Sequence, residues 1–105
     1  MAKAPRIVRT LDADRDLDSL FDWIARDSGL DRAEAIIRRI DDTISHLAAM
    51  PGIGRVRRDL DGAPCAFSVW PWLVIYEPLP KREGIILWRV VDGRRDLPGI
   101  VKRPR

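Results

Sequence analysis

Ala33-Glu34-Ala35-Ile36-Ile37-Arg38-Arg39-Ile40-Asp41-Asp42-Thr43-Ile44-Ser45-His46-Leu47-Ala48-Ala49-Met50-Pro51-Gly52 is the stretch on which the fold turns. Ala33, Ile36, Ile37, Ile40, Ile44, Leu47 and Ala48 recur at every third or fourth position, which lines one face of an α-helix. Pro51-Gly52 ends the helix, because proline has no N–H to donate and its ring crowds the preceding turn. Toward the N-terminus, Asp31 and Glu34 read as a capping box, and Asp27-Ser28-Gly29 separates this helix from an earlier one. That first helix carries Leu17, Leu20, Phe21 and Ile24 on one face, with Asp12 and Asp14 as its expected caps. Arg6-Ile7-Val8-Arg9-Thr10-Leu11 before it reads as a short strand. Two helices joined by so short a turn pack as an antiparallel hairpin.

Toward the C-terminus the pattern changes after Gly54. An arginine-rich loop leads into Phe67-Ser68-Val69-Trp70, Leu73-Val74-Ile75-Tyr76 and Ile85-Ile86-Leu87-Trp88-Arg89-Val90-Val91, whose β-branched and aromatic content predicts strands. Pro71-Trp72 makes a corner between the first two, and residues 78–84, with two prolines, make a hairpin loop. Turn residues from Asp92 to Gly99 lead into one short helical turn, and residues 101–105 read as a loose basic tail. The order β-α-α-β-β-β with a short terminal helix defines an α+β fold, a helical hairpin on a small, mainly antiparallel sheet.

A chain of 105 residues supports one hydrophobic core, so residues 1–105 are read as a single domain. The longest apolar run, residues 69–76, falls far short of the roughly 20 residues that span a bilayer. The first six residues have no apolar segment of the secretory kind, and Cys65 has no second cysteine to pair with, so a reducing cytoplasm is the expected compartment. Charge is unevenly spread: residues 1–54 hold 8 Lys and Arg against 10 Asp and Glu, and residues 55–105 hold 11 against 6. The halves therefore stand at −2 and +5, a balance that suits a polyanion or an acidic protein partner.

Four runs in this order resemble the RelE/ParE superfamily of toxins, and its ParE-like branch in particular. They are Asp16-Leu17-Asp18-Ser19-Leu20-Phe21-Asp22-Trp23-Ile24-Ala25, His46-Leu47-Ala48-Ala49-Met50-Pro51-Gly52-Ile53-Gly54-Arg55, Trp72-Leu73-Val74-Ile75-Tyr76 and Arg89-Val90-Val91-Asp92-Gly93-Arg94-Arg95-Asp96. The resemblance covers nearly the whole chain and implies the toxin of a type II toxin–antitoxin system, held in check by a co-produced antitoxin. It implies DNA gyrase as the target if the ParE-like pattern governs, and ribosome-bound mRNA if the RelE-like one does. An inert module that only binds its antitoxin is the third reading. The chain departs from the ParE-like pattern twice, lacking an arginine near Pro64-Cys65-Ala66 and a histidine at Asp92.

Cleavage of RNA by its own 2′-hydroxyl needs a proton acceptor and a proton donor as well as cations. No His or Tyr follows Tyr76; His46 lies within a helix, and Tyr76 ends an apolar strand with its hydroxyl expected at the edge. Arginine, with a pKa above about 12, stabilises phosphate but rarely moves a proton. Catalytic residues are therefore expected to be none, and gyrase inhibition leads ribonuclease activity. Arg55, Arg57, Arg58, Arg89, Arg94 and Arg95 are the expected target-binding set, on one shared basic face. Two readings stay open for them: target contact, or intramolecular pairs with Asp59 and Asp96. Trp23, Trp70, Trp72 and Trp88 are the expected antitoxin contacts, since Trp and Arg dominate interface hot spots, with core packing the alternative for each one singly. Cys65 and a single histidine give no zinc ligand set, and no glycine-rich loop is followed by GK[ST], so neither metal nor cofactor is expected.

Overall fold

The computed structural model describes residues 4–105. Strand β1 (Arg6–Arg9) leads into helices α1 (Leu11–Ser28) and α2 (Leu30–Ala49), followed by a 3-10 turn at Pro51–Ile53 and strand β2 (Arg55–Val56). Strands β3 (Cys65–Val69), β4 (Trp72–Pro78) and β5 (Gly84–Asp92) complete a five-stranded sheet, and a single helical turn, α3 (Leu97–Ile100), follows. The sheet runs β1-β5-β4-β3-β2, with β1 parallel to β5 and every other pair antiparallel. The α+β architecture is the expected one. The two-residue strand β2 is an addition, too short to carry a period of its own.

Local chemistry explains the helix boundaries and corrects two expected caps. Thr10, rather than Asp12 or Asp14, caps α1: its hydroxyl oxygen accepts from the Ala13 N–H at 3.0 Å, because Thr10 is the last extended residue before the helix. The two aspartates fall in the first turn, where the helix dipole favours negative charge. Asp31 and Glu34 form no capping box, since α2 begins directly at Leu30 with Gly29 as its cap. Gly29, at φ 91°, serves both helices and makes the linker a single residue, in a region where a side chain is strained.

The sheet divides two cores. Ala13, Leu17, Leu20 and Ile24 of α1 and Ala33, Ile40, Ile44 and Leu47 of α2 pack on a face of the sheet that presents Val69, Val74, Tyr76, Ile85, Leu87 and Val90. The other face carries Ala66, Leu73, Ile75, Trp88 and Val91, covered by Leu60, Leu97 and Val101. Of the five residues read as a loose tail, Val101 is thus buried, and the Arg103 backbone N–H donates to Asp61 Oδ2 at 2.9 Å. The apolar underside of a sheet in contact with water would be costly, and the C-terminal segment removes it from solvent. Among the described residues no helix is long and apolar enough to cross a membrane.

Candidate functional site

The β4–β5 register shifts by one residue between Ile75 and Tyr76, which face Arg89 and Leu87, so Trp88 is the extra residue of a bulge. The bulge turns Arg89 outward just where β1, whose last pair is Arg9 with Leu87, has ended. Past that point β5 has a free edge, and side chains satisfy it. Asp16 of α1 accepts from the Val90 N–H at 2.9 Å and holds the Arg89 guanidinium through two hydrogen bonds of 2.7 and 2.9 Å. The Arg89 Nη1 also donates to the Ile100 carbonyl, and the Thr10 hydroxyl donates to the Trp88 carbonyl. Hydrogen bonding to Asp16 outweighs burial and raises the Arg89 pKa. Arg89 therefore ties α1, β5 and the C-terminal segment together instead of standing free on a basic face.

The other expected target contacts are divided. Arg57 is held by Asp59 through hydrogen bonds of 2.8 and 2.7 Å, which lower the Asp59 pKa. Arg94 is held by Asp92, not by Asp96: its Nε and backbone N–H both reach Asp92 Oδ1, a two-residue chelate that the sequence spacing did not single out. The Arg94 guanidinium beside it holds Asp92 down to about 2. Arg55 lies on edge strand β2 opposite Ala66, which pairs with Ile75, which pairs with Arg89, so Arg55 points to the face away from the helices. Arg55, Arg58 and Arg95 are exposed and form no ion pair among the described residues. A single face carrying all six arginines is not formed, because β2 and the end of β5 lie at different margins of the sheet.

Three of the four tryptophans come together. The α1 C-terminus, the α1–α2 turn and the β3–β4 corner enclose a groove of about 670 Å³ lined by Trp23, Ile36, Trp70, Trp72 and Arg94. An adjoining groove of about 370 Å³ shares Trp23, Trp72 and Arg94 and adds Arg89 and Arg95. Trp23 is 56% exposed and Trp70 70%, values high enough to bury large area on binding. Trp88 is the exception: it lies in the second core with its indole N–H donating to Glu77 at 3.0 Å, so its ring offers no surface to a partner. Leu30, in the first turn of α2, is also exposed, and Met50 and Ile53 line a separate margin near the α2 C-terminus. Sequence reasoning named the tryptophans but missed Leu30 and this second margin.

Tyr76 is fully buried rather than set at an edge. Its hydroxyl donates to the Pro51 carbonyl at 2.7 Å and accepts from the Gly54 N–H at 3.0 Å, and burial raises its pKa. With the side chain buried and both bonds made to the 3-10 turn, the hydroxyl is held out of reach of a substrate proton. His46 is exposed in the last turn of α2. Cys65 is buried, which pushes its thiol up, and the described residues contain no group of three or more potential metal ligands.

A helical hairpin on a mixed five-stranded sheet, with exposed tryptophans in a groove at one end, is the fold and surface this chain presents. The family model described as "ParE toxin of type II toxin-antitoxin system, parDE" matches residues 7–97, and the chain belongs to that family. It is 36% identical over 92 residues to Toxin ParE3 of Caulobacter vibrioides, covering 88% of this chain and 90% of that one. A solved chain described as the chromosomal ParDE TA system from P. aeruginosa has the same fold, with a TM-score of 0.69, 18% identity, and coverage of 85% of this chain and 96% of that one. The protein is thus a toxin of the type II class, which a cognate antitoxin neutralises.

Proposed function

We propose that this toxin arrests growth in the cytoplasm by inhibiting DNA gyrase, and that its antitoxin seats on the aromatic end where Trp23, Trp70 and Trp72 meet. The observation that carries the choice of gyrase over RNA cleavage is the commitment of the Tyr76 hydroxyl to Pro51 and Gly54, which leaves the sheet without a tyrosine for proton transfer. Gyrase inhibition requires binding alone, and gyrase is the target that the ParE-like pattern implies. Arg55, Arg58 and Arg95 are available for such contacts as they stand. Arg57 and Arg94 become available by exchanging an exposed intramolecular pair, worth little in water, for a better acceptor. The antitoxin site rests on exposed indole rings beside Arg94, the residue types that dominate interface energetics.

A supercoiling assay with purified gyrase tests the target. Loss of supercoiling or trapped cleaved DNA, reversed by the antitoxin, is the expected result. Undisturbed gyrase in the presence of a large molar excess of folded toxin overturns it, and mRNA fragmentation on translating ribosomes then identifies the RelE-like activity.

A further inference from the structure

The two sides of the sheet carry opposite charge. The helix layer, residues 11–49, holds 5 arginines against 10 carboxylates, a net of −5. On the other side, the segment 96–105 holds Lys102, Arg103 and Arg105 against the single carboxylate of Asp96, a net of +2, while the loop 57–63 is balanced, two arginines against two aspartates. These two segments are fixed to one another. Asp61 accepts the Arg103 N–H, Gly62 lies against the Trp88 ring and the Arg103 side chain, and Val101 is buried beneath them. The cations are therefore mounted on a packed platform instead of a loose tail.

Along the margin of this platform runs a groove of about 530 Å³ lined by Arg89, Lys102, Arg103 and Arg105, with Asp12 as its one carboxylate. Arg89 is already engaged by Asp16, but Arg58, Arg103 and Arg105 form no ion pair among the described residues. The fully buried centre of a protein interface is more apolar than its rim. Among the described residues, none of the eight exposed large hydrophobic residues lies in 57–63 or 94–105; the apolar lining of the groove is Leu11, which is exposed, with Ile100 and Pro104 half-buried and Trp88 buried. Cations that outnumber the exposed apolar side chains beside them suit a phosphate backbone, which is held by charge and reads no side-chain shape.

We propose that Arg58, Lys102, Arg103 and Arg105, on the sheet face away from the helices, form a sequence-independent binding surface for the phosphate backbone of nucleic acid. This surface is separate from the aromatic end, so the toxin engages antitoxin and nucleic acid through different sides. It does not depend on gyrase being the target.

Fluorescence anisotropy with a labelled 20-base-pair DNA duplex of arbitrary sequence, and with single-stranded RNA of equal length, tests it without gyrase. Three or four backbone contacts give a slope of log K against log salt of about −3 on duplex DNA. The triple substitution Arg58→Glu, Arg103→Glu, Arg105→Glu should weaken binding at least about 100-fold and bring the slope near zero. Arg15→Glu, Arg26→Glu, Arg38→Glu makes the same change in net charge on the helix layer and should cost far less. If the glutamate triple does not fold by circular dichroism, the glutamine triple at the same positions serves, with the slope falling to about −1 from Lys102 alone. No binding to either nucleic acid at low salt overturns the proposal, as does an equal loss in the two triples. Tighter binding of poly-glutamate than of the duplex at matched charge overturns it in favour of an acidic protein partner. DNA and RNA binding in parallel marks phosphate alone as the ligand; preference for one selects it as the source.

Discussion

Asp16 and Arg89, separated by 73 positions in the chain, meet in a two-pronged ion pair at 2.7 and 2.9 Å, with side chains only 15% and 22% exposed. The same carboxylate takes the Val90 N–H on the free edge of β5. Removing one partner leaves a half-buried charge with incomplete compensation, so Arg89→Ala should cost about 3 kcal/mol in chemical denaturation. Asp16→Ala should cost more, since it also orphans the Val90 N–H. The double variant should be less damaged than the sum, with a coupling energy of about 1–3 kcal/mol. Growth arrest should weaken in both single variants in step with lost stability. Arg89→Ala that is toxin-dead with an unchanged melting temperature would instead make Arg89 a target contact.

At the aromatic end, Trp23→Ala and Trp70→Ala should each weaken antitoxin binding at least about 30-fold, or about 2 kcal/mol, in calorimetric titration. Their melting temperatures should hold, because both rings are mostly in water already. Trp88→Ala should show the reverse, a loss of about 3–5 kcal/mol in stability through the cavity it leaves in the second core.

Gly54 marks a close approach that has nothing to do with backbone freedom. A Cβ at this position would lie 2.2 Å from the Tyr76 hydroxyl oxygen, so Gly54→Ala forces apart the 3-10 turn and β4. A destabilisation of about 1–3 kcal/mol is expected, part of it recovered by adding Tyr76→Phe, which deletes the offending oxygen. Tyr76→Phe alone should cost about 1–3 kcal/mol, because it leaves the Gly54 N–H without its partner.

Two titrations have definite signs. Asp92, held at about 2 by Arg94 against an ordinary 3.8, favours the fold in its charged form; that contribution is complete above about pH 4 and is lost as pH falls through 2. NMR titration of the Asp92 carboxyl carbon should show the low midpoint, and in Arg94→Ala it should move up toward 3.8. Tyr76 is raised above its ordinary 10 by burial, with the neighbouring Cys65 adding to it, so its contribution is complete below pH 10 and is lost as pH climbs through the raised value. Tyr76→Phe should flatten the alkaline decline of stability.

The apolar period of α1 and α2, the strand content of β3, β4 and β5 and the breaks at Gly29 and Pro51 are local properties of the chain, and each was legible from residue type and spacing. The surface position of Trp23 was legible too, since it falls off the apolar stripe of α1. What stayed hidden is pairwise and distant. Arg89 reads as one more cation in a basic run until the bulge at Trp88 and the end of β1 bring Asp16 to it. Trp88 reads as a possible anchor until the C-terminal segment closes over its face of the sheet, and that same closure turns an apparent tail into a charged platform. Sequence by itself determined which residues prefer helix, strand or turn, because those preferences act over a few residues. Only the tertiary structure decided which charges are spent inside the molecule and which face a partner, because a salt bridge is chosen by proximity in space and the chain order holds no record of it.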